Sequence, residues 1–195
     1  MPQIARDSLM TLEAYARGRA EFRARVIAHK KNRAVQLGAH ITLLFEDELT
    51  IRYQVQEMLR IERIFEAAGI DDELAAYNPL VPDGGNWKAT MMIEYSDVDE
   101  RKRMLAALKD IERRVWVQVA GCERVYAIAD EDLERTTEEK TSAVHFLRFE
   151  LTAAMKRVLA AGAALAAGVD HPQYSATIDK VSPAVRTSLL QDLRM

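Results

Sequence analysis

The sequence has little of what builds a disulfide scaffold, a low-complexity chain or a membrane span. Its 195 residues include one cysteine, eight glycines and five prolines. A single cysteine excludes a disulfide framework and a multi-cysteine zinc or iron–sulfur site. The longest uncharged apolar run, residues 158–169, is mostly alanine and glycine. A helix that spans a membrane needs about 20 apolar residues, so this run is too short.

Neither charge sign dominates the sequence, which has 27 lysines and arginines, 30 acidic residues and a net charge of −3. This balance argues against a protein whose whole surface is built for nucleic acid. The N-terminus lacks the basic and then apolar pattern of a secretion signal. We therefore expect a cytoplasmic protein with no membrane partner.

The order of strand-like and helix-like segments is irregular, and this favours an α+β fold over a doubly wound parallel sheet. The length suits a single domain with a mixed or mostly antiparallel sheet packed against helices. Within it we expect a basic helical segment at residues 1–35, an α+β core at 36–180 and a C-terminal helix at 182–195.

Local signals predict where several elements begin and end. Four polar residues are expected to cap helices: Thr11, Asp97, Thr152 and Ser182. Gly18 is a candidate break in the first helix. Gly69 is expected to follow the helix that begins near Leu49 or Ile51. Segment 130–140 is acidic and is predicted to be a surface turn or a short helix.

No phosphate-binding loop, dinucleotide fingerprint, zinc-protease motif or nucleophile elbow occurs in the sequence. The remaining candidates are polar residues where the pattern favours apolar ones. Glu62 lies on the apolar stripe of a predicted helix, and His145 lies on the more apolar face of a predicted strand. An unpaired charge at such a position is costly. A buried ion pair, exposure or a hydrogen-bonded core histidine would also account for them.

A metal site is one way to bring such residues together. If the predicted strands at 39–46 and 88–95 are neighbours, His40, Glu46 and Glu94 approach one another. With Glu62 and His145 they would form a histidine and carboxylate site that suits iron, manganese or zinc. The metal candidates are therefore His40, Glu62, Glu94 and His145. The alternative is a set of rim charges on an antiparallel sheet, and no ligand spacing distinguishes the two.

Two further segments are candidates for binding. Residues 78–86 are rich in proline, glycine and asparagine, so Asn78, Asp83 and Asn86 are candidate binding residues, together with His171 in a second turn. A plain connector is the alternative for the first segment, and a plain turn is the favoured interpretation of the second. Cys122 lies near a predicted hairpin tip without a clear activating neighbour, which argues against a catalytic thiol.

Residues 17–33 carry seven lysines and arginines against one glutamate. The candidate partner-binding residues in this stretch are Arg19, Arg23, Arg25, Lys30 and Lys31. Its one aromatic residue, Phe22, gives poor support for a nucleic-acid stacking surface. A solvated face that pairs with the acidic segment of the same chain is the alternative.

Six blocks of the sequence together resemble a bacterial family of about this length that carries a domain-of-unknown-function name. The blocks are RVIAHKK at 25–31, LLFED at 43–47, YQVQEMLR at 53–60, AYNPL at 76–80, AIADED at 127–132 and KTSAVHF at 140–146. The resemblance covers nearly the whole chain. It implies no catalytic residue. It does imply a redox or oxidative-stress setting, because such genes lie beside those of rubrerythrin-like proteins and of iron–sulfur proteins similar to glycolate-oxidase or heterodisulfide-reductase subunits.

Three functional hypotheses follow from the sequence and the resemblance. The leading one is a cytoplasmic accessory protein of a redox system, acting through an iron–sulfur or rubrerythrin-like partner. The alternative is a small metalloenzyme with a histidine and carboxylate site, and the third is a nucleic-acid-associated protein that uses residues 17–33. The sequence leaves open whether the protein is an enzyme, which metal it holds and whether it forms a homo-oligomer.

Overall fold

The computed structural model describes residues 4–194, which form six α-helices and nine strands that pair antiparallel. The α-helices are α1 (Leu12–Lys30), α2 (Glu48–Glu62), α3 (Ala67–Tyr77), α4 (Val98–Ala107), α5 (Ala153–Ala160) and α6 (Pro183–Leu190). The strands are β1 (Ala34–Leu37), β2 (Ile41–Glu46), β3 (Asn86–Ile93), β4 (Val115–Val119), β5 (Arg124–Tyr126), β6 (Ile128–Ala129), β7 (Val144–Glu150), β8 (Leu165–His171) and β9 (Tyr174–Ile178). The α+β prediction is confirmed.

The strands form two antiparallel sheets rather than one. The first has the order β1-β2-β3-β7-β6 and the second the order β5-β4-β8-β9. Side chains alternate between the two faces of a strand, so each sheet can direct one apolar face inward. The main buried cluster draws on both sheets, with Leu43 and Met91 from the first and Val117 and Val169 from the second.

The pairing of β3 with β7 shows which residues of β7 lie on each face of the first sheet. In the register of β3 and β7, Met91 lies opposite His145, and both side chains are buried. Thr90 lies opposite Phe146 in the same register, and both are half-buried on the other face. His145 therefore belongs to the inner face of the first sheet, and Phe146 to its outer face.

The predicted helix caps are confirmed. The side chains of Thr11, Asp97, Thr152 and Ser182 each accept a hydrogen bond from a backbone N–H three residues ahead. These bonds satisfy N–H groups that have no partner within the helix. A capping box at Asp47 and Thr50 begins α2 in the same way.

Two glycine predictions are wrong. α1 runs without a break through Gly18, because one interior glycine costs only about 1 kcal/mol and the helix buries Tyr15 and Phe22 on one face. α2 ends at Glu62, where Arg63 takes up a left-handed conformation with φ of 55°. Gly69 consequently lies inside α3 and does not follow α2.

Two segments complete the comparison with the predicted elements. Residues 130–140 form an irregular, mostly exposed stretch that joins β6 to β7, in agreement with the predicted surface turn and not with the short helix. β9 was not predicted; it follows the turn at Pro172 and pairs with β8. Within residues 4–194, no helix combines the length and the apolar character needed to cross a membrane.

Candidate metal centre

Three potential metal ligands meet inside the described part of the chain. Glu112, Asp130 and His145 each contribute a ligating atom, and these atoms all lie within 4.8 Å of one another. Glu112 comes from a short 3-10 helix before β4, Asp130 directly follows β6, and His145 lies in β7. His145 is fully buried and Glu112 is 3% exposed. Buried charged groups of this kind are normally paired or bound to a metal.

The imidazole of His145 has oxygen atoms on both sides. Its Nδ1 atom lies 2.6 Å from Oδ2 of Asp130. Its Nε2 atom lies 2.9 Å from the hydroxyl of Thr141 and 3.1 Å from the carbonyl oxygen of Ser142. An ionised carboxylate only accepts hydrogen bonds, so Nδ1 carries the proton shared with Asp130. This fixes the orientation of the ring and turns Nε2 toward the remaining oxygen atoms.

Asp130 is held in place by its backbone and by two donors. Its φ of 52° lies in the left-handed region, which aspartate and asparagine adopt more easily than most residues. Its Oδ1 atom accepts hydrogen bonds from the Phe146 N–H at 3.1 Å and from Arg135 at 3.3 Å. Arg135 also binds Asp132 through both terminal nitrogens, and this lowers the pKa of Asp132 below its usual value. The carboxylate that orients His145 is therefore anchored to the strand itself.

Glu112 faces His145 from the opposite side. Its Oε2 atom lies 3.9 Å from Nε2 of His145. The hydroxyl of Thr136 donates to Oε1 at 3.2 Å, and the hydroxyl of Thr141 donates to Oε2 at 3.4 Å. Thr136 belongs to the irregular segment between β6 and β7, so this stretch helps to build the site.

A cavity of about 180 Å³ adjoins this cluster. Glu112, Asp130 and Thr136 form part of its wall. Asp110 and Glu134 add two further acidic side chains, both exposed. Arg113 and Arg135 line the same cavity, so its wall carries four acidic and two basic side chains.

The spacing of the donor atoms suits a small metal ion. Bonds of about 2.1 Å at tetrahedral or octahedral angles place neighbouring ligand atoms about 3.0–3.4 Å apart. Around Nε2 of His145, the oxygen atoms of Thr141, Ser142 and Glu112 lie at 2.9, 3.1 and 3.9 Å. The oxygen atoms of Thr141 and Ser142 lie close to this range, and the Glu112 oxygen lies beyond it.

The four predicted metal ligands do not form one group in the described structure. His145 is part of the cluster, whereas His40, Glu62 and Glu94 are not. His40 stacks on Tyr95, and its Nδ1 atom lies 2.9 Å from the backbone oxygen of Glu94. The Glu94 side chain accepts a hydrogen bond from Thr42. Glu62 is exposed, because it occupies the last position of α2, where the apolar stripe no longer faces other elements.

The candidate binding residues of the loops make hydrogen bonds that hold the fold together. Asn78 accepts from the backbone N–H of Ile4 and donates to its oxygen. Asp83 accepts from Gly85, and Asn86 donates to Glu150. The ring of His171 lies 3.0 Å from the backbone oxygen of Lys109. A ligand-binding role for these four residues stays a prediction.

The basic residues of α1 and its C-terminal end have different surroundings. Arg19 forms an ion pair of 2.7 Å with Glu57 of α2. Arg25 lies over the ring of Phe22, and Lys30 lies 5.9 Å from the centre of the Tyr53 ring. Arg23 and Lys31 are exposed. Partner binding by these residues stays a prediction.

Sequence reasoning missed two of the three clustered residues and one buried arginine. Glu112 and Asp130 lie in segments with no apolar periodicity against which a misplaced charge would stand out. Arg33, from the same basic stretch, is 1% exposed and donates to Asp192 at 2.5 Å and to the backbone oxygen of Phe45 at 2.8 Å. No local sequence pattern distinguishes Arg33 from the exposed basic residues near it.

The fold and the cluster define an α+β protein with a buried histidine and carboxylate centre. The chain belongs to a family described as "Protein of unknown function (DUF3501)", whose model matches residues 3–193. It is also similar to a crystal structure of a novel protein of unknown function from Burkholderia pseudomallei K96243. The two chains are 59% identical with a TM-score of 0.94, and the match covers 98% of this chain and 100% of the other. No curated protein matches the sequence.

Proposed function

We propose that this protein binds a divalent transition-metal ion through Nε2 of His145 and the carboxylate of Glu112. The observation that carries the proposal is the 2.6 Å contact between Nδ1 of His145 and Asp130. Histidines that bind metals almost always donate their other ring N–H to such an acceptor. Asp130 is thus a positioning residue in this proposal, and the Thr141 hydroxyl and the Ser142 carbonyl are additional oxygen donors.

The donor set limits the choice of metal. One imidazole nitrogen with several oxygen atoms suits manganese, iron or zinc, whereas a copper(I) or iron–sulfur site would need sulfur ligands. The negative charge of Glu112 partly neutralises the positive charge of a metal ion bound in this buried position. The adjoining cavity supports a site at which a water molecule or a small ligand can complete the coordination.

The proposed metal would also connect the protein with the proposed accessory role in a redox system. A manganese or iron centre would suit a protein that serves a redox system, and the proposed partner is an iron–sulfur or rubrerythrin-like protein. Support for this part comes from the resemblance, and co-purification with such a partner is its test.

The test of the metal site is elemental analysis of untagged protein purified without chelator and under low oxygen. We expect close to one equivalent of manganese, iron or zinc in the wild type. His145→Asn and Glu112→Gln should each lose it, because the first removes the imidazole nitrogen and the second removes the negative charge of the carboxylate. His40→Asn is the matched control, since His40 lies outside the cluster, and it should retain the metal.

Folding is checked in parallel by circular dichroism and by thermal unfolding, so that loss of metal is separated from loss of structure. A wild-type protein that takes up no manganese, iron or zinc on dialysis against each ion would refute the proposal. Full metal content in a folded His145→Asn and Glu112→Gln double variant would place the metal elsewhere in the protein.

A further inference from the structure

The outer face of the first sheet and the helices beside it enclose a second cavity, separate from the metal centre. Its volume is about 280 Å³. Six of its lining residues are apolar: Leu44, Ile51, Leu80, Met92, Val144 and Phe146. Small-molecule sites are typically apolar cavities with a few polar groups that fix the orientation of the ligand.

A buried carboxylate lines this cavity. Glu46 is only 7% exposed, and its carboxylate accepts a hydrogen bond of 2.6 Å from the hydroxyl of Thr90. Among the described residues, no basic side chain forms an ion pair with it. Lys88 lies directly opposite in the register of β2 and β3, yet it lines two neighbouring cavities and makes no ion pair with Glu46. One neutral donor compensates poorly for the burial of a charged carboxylate.

A positive charge lies on another part of the same wall. Lys30, in the last turn of α1, lines the cavity and is half-buried. Its contact in the described structure is the Tyr53 ring, at 5.9 Å from the ring centre. The cavity wall therefore contains one acidic and one basic residue together with apolar side chains, and no ion pair joins Glu46 to Lys30 among the described residues.

We propose that this cavity binds a small zwitterion of the amino-acid class with an apolar side chain. Its ammonium group would pair with Glu46, its carboxylate with Lys30, and its side chain would contact Met92 and Phe146. A ligand with both charges compensates the buried Glu46 and the half-buried Lys30, whereas a plain amine or a plain acid leaves one of them uncompensated. This complementarity gives specificity as well as affinity.

The test compares leucine with two analogues that each lack one charge. Isopentylamine lacks the carboxylate, and 4-methylpentanoate lacks the ammonium group. Affinities are measured by isothermal titration calorimetry, and the Met92 methyl resonance reports binding at this cavity. We expect leucine to shift that resonance and to bind at least about tenfold more tightly than either analogue, a difference of about 1.4 kcal/mol.

Four variants locate the interaction. Glu46→Gln should weaken leucine binding at least about tenfold, since the amide keeps the shape but not the charge. Val144→Trp fills the cavity from its rim without altering Glu46 and should abolish the Met92 shift. Lys30→Met should remove the preference for leucine over isopentylamine. Glu94→Gln is the control, because Glu94 is an exposed acid at the other end of the same sheet, and it should bind leucine as the wild type does.

Three results would overturn the proposal. The first is the absence of any Met92 shift with leucine at millimolar concentration. The second is equal affinity for leucine and isopentylamine, which would show that the carboxylate is not recognised. The third is unchanged leucine binding by Val144→Trp, which would place the ligand outside this cavity.

Discussion

Nδ1 of His145 and Oδ2 of Asp130 lie 2.6 Å apart, although 15 residues separate them along the chain. β6 and β7 pair side by side, so the residue that follows β6 reaches the side chain near the beginning of β7. The second Asp130 oxygen accepts from the backbone of Phe146, and this locks the pair to the strand. The contact determines which nitrogen of His145 remains for another ligand.

Asp130→Asn is expected to lower metal affinity about 10-fold to 100-fold, because the amide is a weaker acceptor for the Nδ1 proton. Asparagine also tolerates the left-handed backbone at this position, so the fold should be kept. Competition with a chromogenic chelator measures the affinity. Asp132→Asn is the control, since Asp132 binds Arg135 and not His145. Equal affinities for the two variants would show that Asp130 does not position the ligand.

Arg33→Met is expected to lower the free energy of unfolding by about 3–5 kcal/mol. The guanidinium is 1% exposed, and its loss leaves the carboxylate of Asp192 buried without its 2.5 Å partner. Burial already raises the pKa of Asp192 to about 6, against the opposing effect of Arg33. Urea denaturation measures the change. The control is Arg23→Met, an exposed change in the same basic stretch, which should alter the free energy of unfolding by no more than about 0.5 kcal/mol. Equal losses of stability in the two variants would count against the prediction.

Glu57→Gln is expected to make the unfolding free energy less dependent on acid pH. A hydrogen bond from Arg19 lowers the pKa of Glu57 from 4.5 to about 2, with burial opposing it. A carboxyl group whose pKa is lower in the folded state than in the unfolded state stabilises the fold at pH values above its unfolded pKa. This stabilisation is lost as the pH falls toward the folded pKa. We expect the wild type to exceed the variant by about 1.5–3 kcal/mol at pH 7. That difference should shrink between pH 4.5 and pH 2.

Urea denaturation at several pH values tests the Glu57 prediction. Glu62→Gln is the control, because Glu62 is an exposed acid of the same helix, and it should follow the wild type across the range. A gap between wild type and Glu57→Gln that stays constant down to low pH would show that the ion pair is not the cause.

Gly168→Ala is expected to destabilise the protein by more than about 2 kcal/mol. A Cβ at this position in β8 would lie 2.6 Å from Cε2 of Trp116 and 2.8 Å from the backbone oxygen of Ala176. Gly18→Ala in α1 meets nothing within 4 Å and should stabilise by about 0.5–1 kcal/mol. Thermal unfolding compares the two, and a stable Gly168→Ala variant would mean that β8 and β9 can separate at little cost.

The helix caps could be predicted from the sequence because a cap is a local structure. The side chain of Thr11 needs only the N–H of Ala14, three residues along. The alternation around His145 likewise identified its inward face, since strand periodicity requires only neighbouring residues. The end of α2 could not be predicted in this way, because Arg63 adopts a left-handed conformation that glycine would normally provide.

The sequence by itself determined the fold class, most of the helices and strands, and the burial of His145. Only the tertiary structure decided the partners of that histidine, the burial of Arg33 and Glu46, and the exposure of Glu62. Periodicity and capping depend on residues a few positions apart, so they can be recognised locally. A buried polar cluster depends on strand order and register, which bring together segments as distant as the helical turn at Glu112 and the strand at His145.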